Sequence, residues 1–213
     1  MTSGATQAVA LAYDMIQVGR AERMVVIAGD SASSDNLMPW LGNGFRILGA
    51  ATTCANISQA AMPFNVNRSG MILGSGGIGM VLESEEGARR RFQAAANLNN
   101  INVSPSEKSE SLRMPFKCRL LGTLVSNSAF HGAAMDRYHI AEEMERFISS
   151  VEKEQNVSRS EIARQGVYFS HETSTHASPT SSCASNEVIY SIHYTSLLLL
   201  LLLIISVIIT IND

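Results

Sequence analysis

The sequence predicts an α/β fold built from two similar halves. Helical and strand-like segments alternate along the chain, and a polar, Asn- and Ser-rich linker at 97–115 divides them. Of the 213 residues, 46% are hydrophobic and the net charge is only −3, so the composition is that of a folded chain with a core. This small negative charge gives no electrostatic reason to expect nucleic acid as a partner.

The first half is predicted to contain a helix, two strands and a second helix. Apolar residues at helical spacing predict a helix over 5–19 that ends at Gly19. The continuous apolar run at 23–29 predicts a short buried strand. A glycine-rich loop then leads to a strand at 78–82, and a helix begins near Ser84 with acidic residues in its first turn, where the helix dipole favours them.

The second half is predicted to contain a strand at 118–127, a helix at 137–155 and a strand at 166–170. The helix is the clearest amphipathic segment in the chain. Its predicted buried face consists of Ile140, Met144, Phe147, Ile148 and Val151. The segment GFRILGAATT in the first half is ambiguous between helix and loop.

The C-terminus forms a hydrophobic tail, 193–213, whose apolar run extends from Leu197 to Ile211. This run is just shorter than the about 17 residues that a spanning helix needs, and no lysine or arginine flanks it. Two interpretations remain open: a marginal membrane anchor, or translated non-coding sequence, since seven consecutive leucines are of low complexity.

The cysteines indicate a reduced, intracellular protein. Cys54, Cys118 and Cys183 lie far apart and form no CxxC pair. The N-terminus lacks the basic segment and apolar core of a signal peptide. We therefore expect a cytoplasmic protein, associated with membrane if the tail is a real anchor.

The glycine-rich segment GSGGIG, 74–79, matches the GxGxxG pattern of dinucleotide-binding proteins. That pattern requires a strand before the glycines and a helix after them, whereas here a strand follows. We therefore favour a loop that needs positive φ or close backbone approach, and expect no cofactor.

Metal and serine-hydrolase sites are also disfavoured. His171, His176 and Cys183 have the spacing H-x4-H-x6-C, which suits no compact zinc site and lacks a fourth ligand. The chain contains no GxSxG elbow to present a nucleophilic serine. His131 lies beside a phenylalanine and two alanines, and we predict that it is a hydrogen-bonded residue that packs in the fold.

Four segments, in this order, resemble motifs of the β-ketoacyl synthase (ketosynthase) family of condensing enzymes. The N-terminal SGATQAVALAYDMIQVGRAERMVVIAGD resembles the helix and strand after the family's nucleophile, and PFNVNRSGMILGSGGIGMVLE resembles its Pro-Phe, Arg, Gly-Phe, Gly-Glu-Gly-x-Gly, Leu-Glu segment. SAFHGAAMD resembles its Asp-Ala-Tyr-His stretch, and HETST resembles its His-Gly-Thr-Gly-Thr loop. The likeness covers about 2–190.

The resemblance implies a thiolase-like fold of five α/β/α/β/α layers, incomplete in this chain. Residues 1–96 would be the remainder of the N-terminal half and 116–192 the start of the C-terminal half. It also implies a homodimer and an acyl carrier protein, with acyl or malonyl phosphopantetheine, as partner. The implied reaction is decarboxylative Claisen condensation in fatty-acid or polyketide synthesis, in which a cysteine thiolate accepts the acyl chain and histidines stabilise the enolate-like charge.

The resemblance assigns His171 as the first catalytic histidine. It assigns substrate binding to Thr173, Thr175, Gly70, Gly74 and Gly76. Among the departures from the family pattern, Glu172 replaces a glycine, Met71 a phenylalanine, Ser75 a glutamate and Phe130 a tyrosine.

Two catalytic positions of the family have no counterpart in the chain. The nucleophilic cysteine would fall at or before Met1, and the leucine tail stands where the family has a lysine and a second histidine. We therefore expect this chain to be an inactive part of a longer acyltransferase. The alternative is a non-catalytic, membrane-tethered ketosynthase-like protein that binds a partner.

Overall fold

The computed structural model describes residues 4–98, 118–127, 135–167, 169, 171–177, 188 and 209–210. Its helices are α1 (Gly4–Gln17), α2 (Met38–Ile47), α3 (Ile57–Ala60), α4 (Glu85–Leu98), α5 (Arg137–Gln155) and α6 (Arg159–Gln165). Its strands are β1 (Arg23–Ser31), β2 (Ser75–Glu83), β3 (Arg119–Leu120) and β4 (Ile209–Thr210). The mixed α/β class predicted from the sequence is confirmed.

The strands form two two-stranded sheets, one of β1 and β2 and one of β3 and β4. Arg23 at the start of β1 binds Glu83 at the end of β2, and Gly29 near the end of β1 lies against Gly76 near the start of β2. The two strands therefore run in opposite directions. The β3 and β4 strands are also antiparallel, with Leu120 opposite Ile209.

The predicted helices α1, α4 and α5 are confirmed, and their ends have identifiable causes. Helix α1 ends before Gly19, whose φ of 71° only glycine adopts readily. Helix α4 follows Ser84, whose hydroxyl accepts a hydrogen bond from the Gly87 N–H at 3.0 Å. Helix α5 begins after Asp136, which caps the N–H groups of Tyr138 and His139.

Several predicted elements differ from the structure. The strand predicted at 118–127 is confirmed only at Arg119–Leu120, because the other residues have no ladder partner. In the predicted strand 166–170, Phe169 makes only an isolated bridge. The glycine-rich loop prediction is wrong, since β2 begins at Ser75 and runs through the glycines. Of the predicted linker 97–115, residues 99–115 lie outside the described residues.

The sequence did not predict three helices, α2, α3 and α6. Helix α2 overlaps the ambiguous segment GFRILGAATT, and its first turn contains Pro39, a position where the missing N–H has no cost. Helix α3 is a single turn capped by the Asn56 side chain, which accepts the Ser58 N–H at 3.1 Å. Helix α6 is only seven residues long and is capped by Ser158.

The chain divides into two compact units. The first contains Gly29–Ile78 and Thr123–Ser206, and the second contains Ser3–Ala28, Gly79–Gly122 and Val207–Asp213. The buried apolar residues of the first unit are Ala32, Ala60, Met144, Phe147, Ile148, Val151 and Val188, and those of the second are Ala10, Ala12, Val26, Ala88 and Leu121. Four of the five residues predicted on the inner face of α5 are thus buried.

The apolar tail falls almost wholly outside the described residues. Only Ile209–Thr210 of it is described, and these residues form β4. Among the residues that the structure describes, no helix is long and apolar enough to cross a membrane. Because most of the apolar run lies outside the described residues, both interpretations of the tail stay open.

Candidate functional site

The site is built around the histidine loop, which we define as 171–177. Its centre, Ser174, is only 2% exposed and has a φ of 62°, in the left-handed region. The matching position of the resembled pattern is a glycine, the residue that adopts this conformation most easily. Ser174 keeps the turn and adds a hydroxyl group to it.

Ser174 fixes the histidine loop to the arginine segment, which we define as 62–71. The Met62 N–H donates to the Ser174 hydroxyl oxygen at 3.0 Å. The Gly70 N–H donates to the Ser174 carbonyl oxygen, also at 3.0 Å. Two ends of one segment therefore bind one residue that lies over a hundred positions away in the sequence.

Gly70 lies where only a glycine fits. Its φ is 125°, and an added Cβ would come within 2.6 Å of the Thr52 nitrogen and 2.8 Å of the Ala50 carbonyl oxygen. The neighbouring Met71 pairs with Ala51 in a parallel bridge. The Gly70 N–H is thereby held in place to bind the histidine loop.

Arg68 makes a further link between the two segments. Its Nε donates to the Thr175 carbonyl oxygen at 3.0 Å, and its Nη1 donates to the Asn65 carbonyl oxygen at 3.0 Å. The guanidinium group thus spans the arginine segment and the end of the histidine loop, using the fixed geometry of its donors.

Phe64, in the arginine segment, has an unusual backbone conformation. Its φ is 63°, although it is a bulky residue for which this region is unfavourable. Together with Asn156, which ends α5, Phe64 and Ser174 are the non-glycine residues with positive φ in the described part of the chain. Two of these three lie in the candidate site, and strain of this kind concentrates at functional sites.

The threonine side chains of the histidine loop lie together. The hydroxyl oxygens of Thr173 and Thr175 are 3.2 Å apart, within hydrogen-bonding distance. His171 opens the loop and is partly buried, whereas His176 near its end is exposed. The loop therefore offers an imidazole and two hydroxyl groups within five residues.

Glu172 departs most from the resembled pattern. Each of its two carboxylate oxygens exposes less than 1 Å² to solvent. Neither oxygen has a hydrogen-bond partner among the described residues. An enclosed carboxylate without donors is uncommon in folded proteins.

The other predicted residues have different surroundings. Gly74 and Gly76 lie immediately before and within the start of β2, where an added Cβ would meet open space and φ is not positive. The expectation that these glycines are needed for positive φ or for close backbone approach is therefore wrong at Gly74 and Gly76. Their proposed role in substrate binding stays a prediction.

The structure provides no metal site in its described part, where no group of three or more potential ligands comes together. Cys54 is partly buried and Cys118 is exposed. Cys183 and His131 lie outside the described residues.

Sequence reasoning did not identify Arg68 and Ser174 as the residues that join the two motifs. The sequence nevertheless contains a feature that could have pointed to each of these two residues. The arginine is part of the resembled Pro-Phe, Arg, Gly-Phe segment, and Ser174 replaces a glycine in a short pattern of fixed spacing. Neither observation shows that the histidine loop and the arginine segment are in contact, because this contact exists only in the folded chain.

Comparison with known proteins gives a clear structural result. No family model matches the sequence, and no curated protein matches it significantly. Among solved structures, a type II PKS acyl-carrier protein in complex with its ketosynthase (AntDE with AntF) is similar with a TM-score of 0.65 and 22% identity, over 89% of this chain and 40% of that one.

Two further solved structures are similar to this chain over nearly the same share of its length. A β-ketoacyl synthase from Burkholderia phymatum STM815 is similar with a TM-score of 0.63 and 18% identity, over 88% of this chain and 38% of that one. The ishigamide ketosynthase/chain length factor has a TM-score of 0.56 and 24% identity, over 87% of this chain and 37% of that one.

These likenesses show that the fold of this chain is similar to part of a ketosynthase structure. The resemblance indicated by the motifs is thus confirmed at the level of the fold. The chain spans about two fifths of the length of the structures it matches.

Proposed function

We propose that the chain is part of a β-ketoacyl-[acyl-carrier-protein] synthase-like domain with a five-layered thiolase-like fold, and that His171 is one of its catalytic side chains. The observation that carries the proposal is the contact between the histidine loop and Gly70 of the arginine segment. Two motifs that resemble one family, far apart in sequence, meet in a fold similar to ketosynthases.

The chemistry proposed for the loop follows from its donors. In the condensation, a malonyl unit loses carbon dioxide and leaves an enolate-like charge on the thioester oxygen. An imidazole N–H of His171 would stabilise this charge in a site closed to water. The Thr173 and Thr175 hydroxyls would bind the phosphopantetheine arm of an acyl carrier protein. The enzyme would be a cytoplasmic homodimer that needs no cofactor.

The test begins with the full-length transcript across this locus and uses the protein that it encodes. We expect it to supply the cysteine, the lysine and the second histidine, and to give an acyltransferase that condenses acyl and malonyl groups. His171→Ala should then lower the condensation rate by about 10²-fold or more. His176→Ala, an exposed histidine in the same loop, is the matched control and should leave the rate unchanged.

Retention of full activity by His171→Ala would refute its assigned role. A transcript that adds none of the missing groups would instead favour the second candidate, a non-catalytic ketosynthase-like protein that binds a partner. The observation favouring that candidate is the large number of exposed apolar side chains, among them Trp40 and Ile57. Its test is binding of an acyl carrier protein to the purified chain.

A further inference from the structure

Three hydrogen bonds join the histidine loop to the arginine segment, and they differ in the kind of donor. The Met62 and Gly70 donors are backbone N–H groups, and both of their bonds end on Ser174. The third donor is the Nε of Arg68, whose bond ends on the Thr175 carbonyl oxygen at 3.0 Å. A change of side chain at position 68 should therefore remove the bond to Thr175 and leave the two bonds to Ser174 in place.

Two of these bonds hold the peptide planes on either side of Thr175. The Ser174 carbonyl group belongs to the plane before Thr175 and accepts from the Gly70 N–H. The Thr175 carbonyl group belongs to the plane after it and accepts from Arg68. Because a residue has only two soft backbone torsions between its peptide planes, fixing both planes fixes the direction of the Thr175 side chain. The Thr175 hydroxyl oxygen lies 3.2 Å from that of Thr173.

The Arg68 side chain is itself held in a defined position. Its backbone N–H and its Nη1 both donate to the Asn65 carbonyl oxygen, at 3.2 Å and 3.0 Å. The hydroxyl oxygen of the next residue, Ser69, lies 2.7 Å from that of Thr52. The planar guanidinium group thus holds two carbonyl groups in a fixed geometry, which the single nitrogen of a lysine side chain cannot reproduce.

We propose that Arg68 is a positioning residue, which orients the Thr175 hydroxyl, beside that of Thr173, to bind the phosphopantetheine arm of the substrate. The inference rests on the proposed function for the identity of the arm, and it adds the residue that holds the arm's binding group in place. Because Arg68 acts through the Thr175 backbone, it should govern affinity for the arm and not the rate of the chemical step.

The experiment measures dissociation constants by titration calorimetry on the full-length protein that the locus encodes. Coenzyme A is the probe, because it contains the same phosphopantetheine arm. Adenosine 3′,5′-bisphosphate, the rest of the coenzyme A molecule, is the control ligand. The test variant is Arg68→Lys, which keeps the charge. The matched control is Arg46→Lys, at an exposed arginine in the last turn of α2.

We expect Arg68→Lys to raise the Kd for coenzyme A by about 3- to 10-fold, the effect of losing one well-oriented hydrogen bond. Arg46→Lys should leave this Kd unchanged, and neither variant should alter binding of the control ligand. Thr175→Val removes the hydroxyl, so adding Arg68→Lys to it should weaken binding no further. With malonyl-coenzyme A as substrate, Arg68→Lys should raise KM and keep kcat within about twofold.

Two binding results would overturn this inference and leave the proposed function standing. In one, the unaltered protein and Arg68→Lys bind coenzyme A equally well. In the other, the effects of Arg68→Lys and Thr175→Val multiply, so that the two residues act independently. If Arg68→Lys does not fold, Arg68→Gln takes its place, and loss of folding in both variants would assign Arg68 a structural role only and also overturn the inference.

Failure of the proposed function gives a different result. If the unaltered protein binds no coenzyme A, the assignment of the arm to the threonine hydroxyls fails, and this inference fails with it. His171→Ala should bind coenzyme A as the unaltered protein does, so the catalytic role of His171 is tested separately by the condensation rate.

Discussion

At the scale of single residues, the geometry of the candidate site depends on the backbone at two positions, Gly70 and Ser174. Gly70 presents its N–H to the histidine loop only because it has no side chain. Ser174 receives that bond while adopting a left-handed conformation. Changes at either position should therefore separate the two motifs without altering any titratable group.

Gly70→Ala should be strongly destabilising. Its Cβ would overlap backbone atoms that cannot rotate away, and its φ of 125° disfavours any side chain. We expect a loss of about 3 kcal/mol or more in the free energy of unfolding, measured by urea denaturation. Gly74→Ala is the matched control, since its Cβ meets open space, and an equal loss in both variants would contradict this account.

Ser174→Ala tests the hydroxyl group of the histidine loop. The substitution leaves the Met62 N–H without its acceptor and keeps a Cβ at positive φ. We expect a loss of about 1–3 kcal/mol in the free energy of unfolding. Hydrogen exchange at the Met62 amide gives a local measurement, and an unchanged exchange rate would show that the bond contributes nothing.

At the scale of elements, ion pairs fix α6 against α5. The Arg159 guanidinium binds Glu145 through two nitrogens and also reaches Glu152. Arg159 is 13% exposed, whereas Glu145 is 49% exposed, so water and salt weaken the pair. The hydrogen bonds from Arg159 lower the pKa of Glu145 below its usual value of 4.5.

This pKa shift predicts a dependence of stability on pH. Because the folded chain binds the Glu145 proton more weakly than the unfolded chain does, the pair stabilises the fold fully above pH 4.5. The contribution is lost as the pH falls below 4.5 through the lowered pKa of the folded state. In urea denaturation, the difference between the unaltered chain and Glu145→Gln should shrink over that range. A difference that stays constant with pH would exclude this pair as the cause.

At the scale of the whole chain, each compact unit buries few large apolar side chains among its described residues and exposes several others. In the first unit, Trp40, Ile47, Ile57 and Val66 are each more than 80% exposed. In the second unit, Leu11, Val18, Val25 and Ile27 are each at least 60% exposed. Apolar surface of this extent marks interaction sites or a tendency to aggregate.

We therefore expect the purified chain, and 1–190 expressed alone, to be poorly soluble or to bind a hydrophobic dye strongly in native buffer. The physical reason is that exposed apolar faces and open strand edges associate. Dye fluorescence and sedimentation velocity measure the two effects. A compact monomer that melts in one sharp transition without dye binding would contradict the expectation.

The sequence determined the elements whose side chains repeat at a regular spacing and whose ends carry a chemical signal. The apolar face of α5 and its Asp136 cap are of this kind, as are the Gly19 stop of α1 and the acidic first turn of α4. These features depend on neighbours within a few residues, so local patterns specify them. The resemblance in turn predicted the fold, which the likeness to ketosynthase structures confirms. Its assignment of a catalytic role to His171 stays a prediction.

Only the tertiary structure decided what the glycines do and which motifs meet. The glycines of GSGGIG became part of β2, because pairing with β1 outweighs their weak preference for strands. The contacts of Ser174 with Met62 and Gly70 span more than a hundred residues, and no spacing in the sequence records them. The enclosure of Glu172 is likewise a product of packing, since burial is decided by what the folded chain places around a residue.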